Sequence, residues 1–269
     1  MARDRLRRLL EQRLGAPGRA LLAWRTRGQA EALLARRGLA GPAATVAHAC
    51  RDTIARGPFA GLEYPRRRGD IVHAAKLLGA YERELHEALE RLIAGAPTRV
   101  VNIGSGDGYY VVGLARRLPR ARVVAVDPDP LAQRACARTA ARNGVASRVA
   151  AAPRLDVAAL QRLLADGGPA LVVVDCEGCE DHLVDPVRVP ALAAADLLIE
   201  THDFAAAGIT ARLTDRLAPT HDVVRIDLAP RDVSAYPELA ALPPAVAAGL
   251  LDEFRHVPQA WLACFARRR

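Results

Sequence analysis

The 269-residue chain is 51% hydrophobic with a formal net charge of +8, so it can bury a sizeable core and wholesale disorder is excluded. It holds no apolar run near the ~20 residues of a membrane span, and its N-terminus lacks the apolar stretch of a secretory leader. Five cysteines, an odd number, do not read as a disulfide framework, and a reducing cytoplasm is the expected location.

The charge is concentrated at the start. Residues 1–37 hold ten arginines against Asp4, Glu11 and Glu31, a net of +7, and the remainder is nearly neutral. A single lysine among many arginines and alanines points to compositional bias. The basic start is therefore read as a solvated helix face before it is read as a nucleic-acid arm. Leu6, Leu9, Leu10 and Leu14 recur at helical spacing, as do Leu21, Leu22, Leu33 and Leu34. Glycine–proline breaks follow, and Gly69–Ala94 reads as one longer helix ended by Gly95 and Pro97. Residues 1–95 are expected to form a helical region that closes over residues 96–269.

After Pro97 the pattern changes. Strands are predicted at Arg99–Ile103, Arg122–Val126, Arg148–Ala151, Ala170–Asp175, Asp196–Glu200, His221–Ile226 and Ala260–Ala266. Helices are predicted at Tyr109–Leu118, Pro130–Asn143, Asp156–Ala165 and Asp181–Leu192. Short β-branched runs alternating with helices imply a parallel sheet covered on both faces. The last two strands lack a comparable crossover helix.

The strongest local signal is Val100-Val-Asn-Ile-Gly-Ser-Gly-Asp-Gly-Tyr-Tyr110. A buried strand runs into Gly104, Gly106 and Gly108, then into a helix, so a ligand can approach the backbone closely. The next strand ends at Asp127, followed by Pro128 and Asp129. A carboxylate at that distance can accept hydrogen bonds from ribose hydroxyls. A dinucleotide fits poorly, because Tyr109 stands at the fingerprint's last position and Asp107 would repel a pyrophosphate. A phosphate-free cofactor with a cationic centre suits the loop better.

VVNIGSGDG followed by VVAVDPDP resembles the first motifs of class I S-adenosylmethionine-dependent methyltransferases. The resemblance covers residues 98–267 and implies an α/β fold: a Rossmann-like, seven-stranded, mostly parallel sheet. It further implies that Asn102, Gly104, Ser105, Gly106 and Gly108 hold the methionine part of S-adenosylmethionine, and that Asp127 and Pro128 hold its ribose. Asn102 stands where the family often has an acid, so that counter-charge is missing. The string Asp175-Cys-Glu-Gly-Cys-Glu180 is similar to the FkbM-like branch, which mostly methylates small molecules or sugars on oxygen.

Two strands end in polar clusters. Asp175 and Glu177 follow the fourth; Glu200, His202 and Asp203 end the fifth. Ligands bind outside the carboxyl ends of strands in open α/β sheets, so these side chains are expected around one spot. Methyl transfer is an in-line displacement that needs alignment and, for a hydroxyl acceptor, a base. His202 is the first candidate base, with Asp175 and Glu200 beside it; Asp175 can instead hold the acceptor or the cofactor amine. Tyr81, Glu177 and Asp203 are expected to touch the substrate. A divalent metal on these acids and the histidine is the lesser alternative. Cys176-x-x-Cys179-x-x-His182 lacks the second ligand pair of a zinc site and the thioredoxin-like setting of a redox pair, so both cysteines read as plain helix-start residues. The segment of more than thirty residues before the last strand, with Arg231, Glu253 and Arg255, is long enough to cover the site.

The expected activity is methylation of a small polar molecule on oxygen or nitrogen. The rivals are an RNA methyltransferase using the arginine-rich start, and a non-catalytic scaffold that binds S-adenosylmethionine. A small-molecule substrate is the expected partner, without nucleic acid or membrane; self-association stays open.

Overall fold

The computed structural model describes residues 28–165, 168–205, 207–255, 257 and 259–267. The leucine spacing read over residues 6–22, and most of the arginine-rich start, lie outside the described residues.

Residues 28–36 are helical, followed by α1 (Ala40–Ala49), α2 (His73–Leu78) and α3 (His86–Ala94). The expected single helix over Gly69–Ala94 is broken. Gly79 closes α2 in the left-handed region at φ 67°, where a Cβ would stand 2.4 Å from the Arg56 carbonyl oxygen. Glu82 turns left-handed again, at φ 47°.

Next come β1 (Arg99–Ile103), α4 (Tyr109–Arg117), β2 (Arg122–Val126), α5 (Pro130–Arg142), β3 (Val149–Ala152), α6 (Val157–Leu164) and β4 (Ala170–Val174). Local chemistry sets the helix starts. Asp129 accepts from the Leu131 amide at 2.9 Å with Pro130 at the first position, and Asp156 accepts from the Ala159 amide at 2.7 Å. After β4 the predicted twelve-residue helix is only α7 (Glu180–Leu183), because Pro186 stops it. Then follow β5 (Asp196–Thr201), α8 (Ile209–Leu217), β6 (His221–Asp227), α9 (Pro244–Leu251) and β7 (Ala260–Ala266). The α8 segment was missed in the sequence reading, although Ile209, Leu213 and Leu217 recur every four residues and are fully buried.

The seven strands run in the order β3-β2-β1-β4-β5-β7-β6, parallel except for β7, which is antiparallel to both β5 and β6. Val100 pairs with Val123 and Leu171, so the strand ends carrying the glycine loop, Asp127 and Asp175 lie in register along one edge. Both faces are covered. Leu89, Leu92, Tyr109, Val112 and Leu114 bury one side, and Leu160, Leu192, Ile209 and Leu213 the other. Each such side chain contributes roughly 1.5–3 kcal/mol on burial. A third cluster joins α1, α2 and α9 through Leu39, Val46, Leu78, Leu250 and Leu251, so the late insertion packs against the N-terminal helices above the carboxyl ends of the strands.

Candidate active site

The glycine loop is held from three sides. Gly104 turns at φ 84°, and a Cβ there would stand 1.5 Å from the Asp175 carbonyl oxygen; β1 and the end of β4 touch through it. Gly108 caps α4 against Cys136. Gly106 is different: among the described residues, its chain neighbours aside, no atom lies within 4 Å of where its Cβ would stand, so the backbone faces open space. The Asp127 carboxylate borders this opening, accepting from the Gly106 and Asp129 amides at 2.8 Å each. Each oxygen keeps a second lone-pair direction for a ligand hydroxyl. Two buried polar atoms of this segment, Ser105 Oγ and Asn102 Oδ1, have no hydrogen-bond partner among the described residues. Pro128 is exposed in the turn beyond Asp127.

Asp107 does not face the opening. Tyr64 Oη donates to it, and Lys76 Nζ and Arg67 Nε stand 3.5 Å away. Lys76 Nζ lies 5.1, 5.3 and 5.8 Å from the ring centres of Tyr64, Tyr81 and Tyr109. The N-terminal region thus neutralises the one acid inside the loop. Tyr81 belongs to this aromatic wall, edge-on to Tyr109 at 5.3 Å.

The acidic strand ends converge as expected, with changed roles. His202 is 1% exposed, and carboxylates meet both of its ring nitrogens: Nδ1 is 2.7 Å from Glu180, and Nε2 is 3.2 Å from Glu200 and 3.6 Å from Asp175. Burial alone would lower its pKa; the bonds to Glu180 and Glu200 override this and raise it to about 10. His202 is therefore an imidazolium at neutral pH with no lone pair to accept a proton, which corrects the expectation that it is the base. Burial works against the ionised Glu200, but bonds from His202 and Asp175 and the charge of Arg255 bring it to about 2. Asp175 is raised well above the usual carboxylate range, first by burial and then by the Glu200 charge. It is also the accessible member, with its side chain 31% exposed against 5% for Glu200.

Two more expectations change, for Asp203 and for the cysteine pair. Asp203 is turned away to accept from Thr210 Oγ1 at the start of α8, so it does not join the cluster. Glu177 is exposed at the tip of the loop after β4, in the left-handed region at φ 52°. Cys176 and Cys179 are joined by a disulfide across that loop, which overturns their reading as plain helix-start residues and removes one support for a cytoplasmic location.

Sequence reasoning passed over two functional residues. Glu180, fully buried, grips His202 and accepts from the Cys176 and Gly178 amides at 3.4 and 2.8 Å. The signal was the third acid of the Asp175–Glu180 string. Arg255, from the insertion, binds Glu200, Glu82 and Glu253 together. Among the described residues Asp175, Glu200 and His202 form the group able to hold a metal, with ligand atoms within 4.8 Å of one another. Arg255 and the imidazolium already neutralise those carboxylates, so an added cation would have to displace the His202 proton.

No family model matches the chain. It is 49% identical over 61 residues to the ribosomal protein L11 methyltransferase of Pelotomaculum thermopropionicum, a match covering 23% of this chain and 19% of that protein. Among solved structures, the cofactor-bound Rv0187 from MTB is 17% identical, covering 85% of this chain and 91% of that one, with a TM-score of 0.47. The O-methyltransferase TomG from Streptomyces achromogenes, in complex with SAM, is 18% identical, covering 67% and 78%, with a TM-score of 0.43. In strand order, in the single antiparallel strand β7, and in the glycine loop and acid at the carboxyl edge, the chain has the Rossmann-like fold that its resemblance to class I S-adenosylmethionine-dependent methyltransferases implies.

Proposed function

We propose that the chain is a methyltransferase that binds S-adenosylmethionine against Gly104, Gly106, Gly108 and Asp127 and methylates a small polar molecule on oxygen or nitrogen. The observation that carries this reading is the open backbone at Gly106 bordered by Asp127, with the unpaired Ser105 Oγ and Asn102 Oδ1 alongside. Buried polar atoms without partners are uncommon, and a polar ligand completes them. The short similarity to a named methyltransferase supports the donor; at 23% of the chain it does not identify the acceptor.

When bound, the cofactor supplies an electrophilic methyl group on a sulfonium. The chain's own residues do the rest. Asp175, the accessible member of the cluster, hydrogen-bonds the attacking hydroxyl or amine and aligns it. His202, charged and gripped by Glu180 and Glu200, holds the Asp175 carboxyl group in place. Tyr81 and the exposed Glu177 border the acceptor's space. The described part of residues 1–95 acts as a lid over residues 96–269, with Arg255 fastening the insertion to Glu82 and Glu200. Among the described residues no helix is long and apolar enough to cross a membrane; we place the protein in the cytoplasm without a nucleic-acid partner.

The test is calorimetric titration of S-adenosylhomocysteine against the wild type and Asp127→Ala. Loss of the ribose bonds should weaken binding by roughly 10- to 100-fold. Equal affinity for both proteins would remove the cofactor from this position.

A further inference from the structure

The Cys176–Cys179 disulfide sits where little chain is constrained and much chemistry is supported. It closes a loop of only two intervening residues, and cross-links stabilise chiefly by closing long loops, so it is a poor staple for the fold. The core does not depend on it either, since β4 and β5 are buried along their whole lengths. Locally the position is different. The loop begins at Asp175 and ends at Glu180, whose carboxylate binds two loop amides and His202. Its tip, Glu177 and Gly178, holds positive φ angles of 52° and 126°. A non-glycine residue in that region persists only where its surroundings impose it. The tip also abuts the His202 segment, since a Cβ on Gly178 would lie 3.9 Å from the Ala205 Cβ.

Access differs among the cysteines. Cys176 and Cys179 are only partly buried, beside the exposed Glu177 and Gly178. Cys136 and Cys264 are buried, and burial pushes their thiols up to about 12; Cys50 is partly buried and its thiol is raised as well. A reagent therefore meets the loop pair first.

We propose that Cys176–Cys179 is a reversible modification site, reduced by dithiols and reoxidised by glutathione disulfide, that sets whether the Asp175–Glu180 loop is held in the form that grips His202. In reduction, a dithiol's thiolate attacks one Sγ and the Cys176–Cys179 bond breaks. The reductant's second thiol then resolves the mixed disulfide. Two electrons and two protons end on the two cysteines, and the reductant leaves as its cyclic disulfide. In oxidation one cysteine thiolate attacks glutathione disulfide and releases one glutathione thiol, and the other cysteine then attacks the mixed disulfide, re-forming the Cys176–Cys179 bond and releasing the second. Without the cross-link the left-handed tip relaxes, and the Glu180 carboxylate loses the ordered amides that orient it. The site operates whatever cofactor the crevice holds.

The test uses the folded full chain. Alkylation and mass spectrometry before and after dithiothreitol, and again after glutathione disulfide, should show Cys176 and Cys179 labelled together only in the reduced form. Hydrogen exchange of residues 176–183 and 202–205 should speed up about tenfold on reduction, with the strands unchanged. The double variant Cys176→Ser/Cys179→Ser should exchange like the reduced wild type and ignore both reagents. A pair that resists dithiothreitol in the folded protein, a pair that does not re-form with glutathione disulfide, or equal exchange in both forms would each overturn the proposal.

Discussion

Replacing Glu180 by Gln removes one negative charge from His202 and keeps the side chain's shape, at the loss of the bond that one carboxylate oxygen accepts from the Gly178 amide. His202 lies between Glu180 at 2.7 Å and Glu200 at 3.2 Å, with its pKa raised from 6.5 to about 10. That gap corresponds to about 5 kcal/mol favouring the imidazolium in the folded chain. The sign follows from the raised value. The stabilisation is complete below pH 6.5 and is lost as the pH climbs through about 10. The depressed pKa of Glu200 reports partly the same contacts from the other side and is not added. With Gln at position 180, Glu200 remains, so about half the effect should persist. His202 should titrate about 2 pH units lower, and stability at pH 7 should fall by about 2–3 kcal/mol. The assay is a histidine-selective NMR titration, with the His202 signal assigned from His202→Asn, beside urea unfolding at pH 6, 7.5 and 9. A wild-type His202 that titrates near 6.5, or a variant whose deficit is the same at all three pH values, would refute the reasoning.

Two further variants probe the same framework. Gly104→Ala must set a methyl group against the Asp175 carbonyl at φ 84°; urea unfolding should show a loss above about 2 kcal/mol. Arg255→Leu leaves Glu82, Glu200 and Glu253 without their shared cation. Burial and neighbouring acids already hold Glu82 near 8 against the pull of Arg255, and the variant should raise it further. A carboxyl group raised by folding destabilises as pH rises, so the deficit should reach about 3–5 kcal/mol at pH 8 and shrink at pH 5. A pH-independent deficit would contradict the network.

The sheet was legible because its physics is local. Apart from Asn102, the runs at 100–103, 123–126 and 171–174 are apolar and mostly β-branched along both faces, as a covered parallel sheet requires, and the glycine loop and Asp127 follow in chain order. Failures came where distant contacts decide. Nothing before Gly79 announces that the Arg56 carbonyl packs against it. The charge on His202 needs Glu180 and Glu200, brought together by adjacent strands. Asp107 looked like a charge facing the ligand, and only Tyr64, Lys76 and Arg67 reveal it as a buried anchor. Asp203, six residues before the start of the next helix, accepts from the Thr210 side chain instead. Arg255 reaches its partners from a loop without regular periodicity.

The most direct measurement is a crystal structure of the chain grown with S-adenosylhomocysteine. The ribose hydroxyls should lie within hydrogen-bond reach of Asp127, and the sulfur should lie over the glycine loop, on the side of the Asp175 side chain. A homocysteine nucleoside bound elsewhere, or absent from the crevice at saturating concentration, would contradict the account.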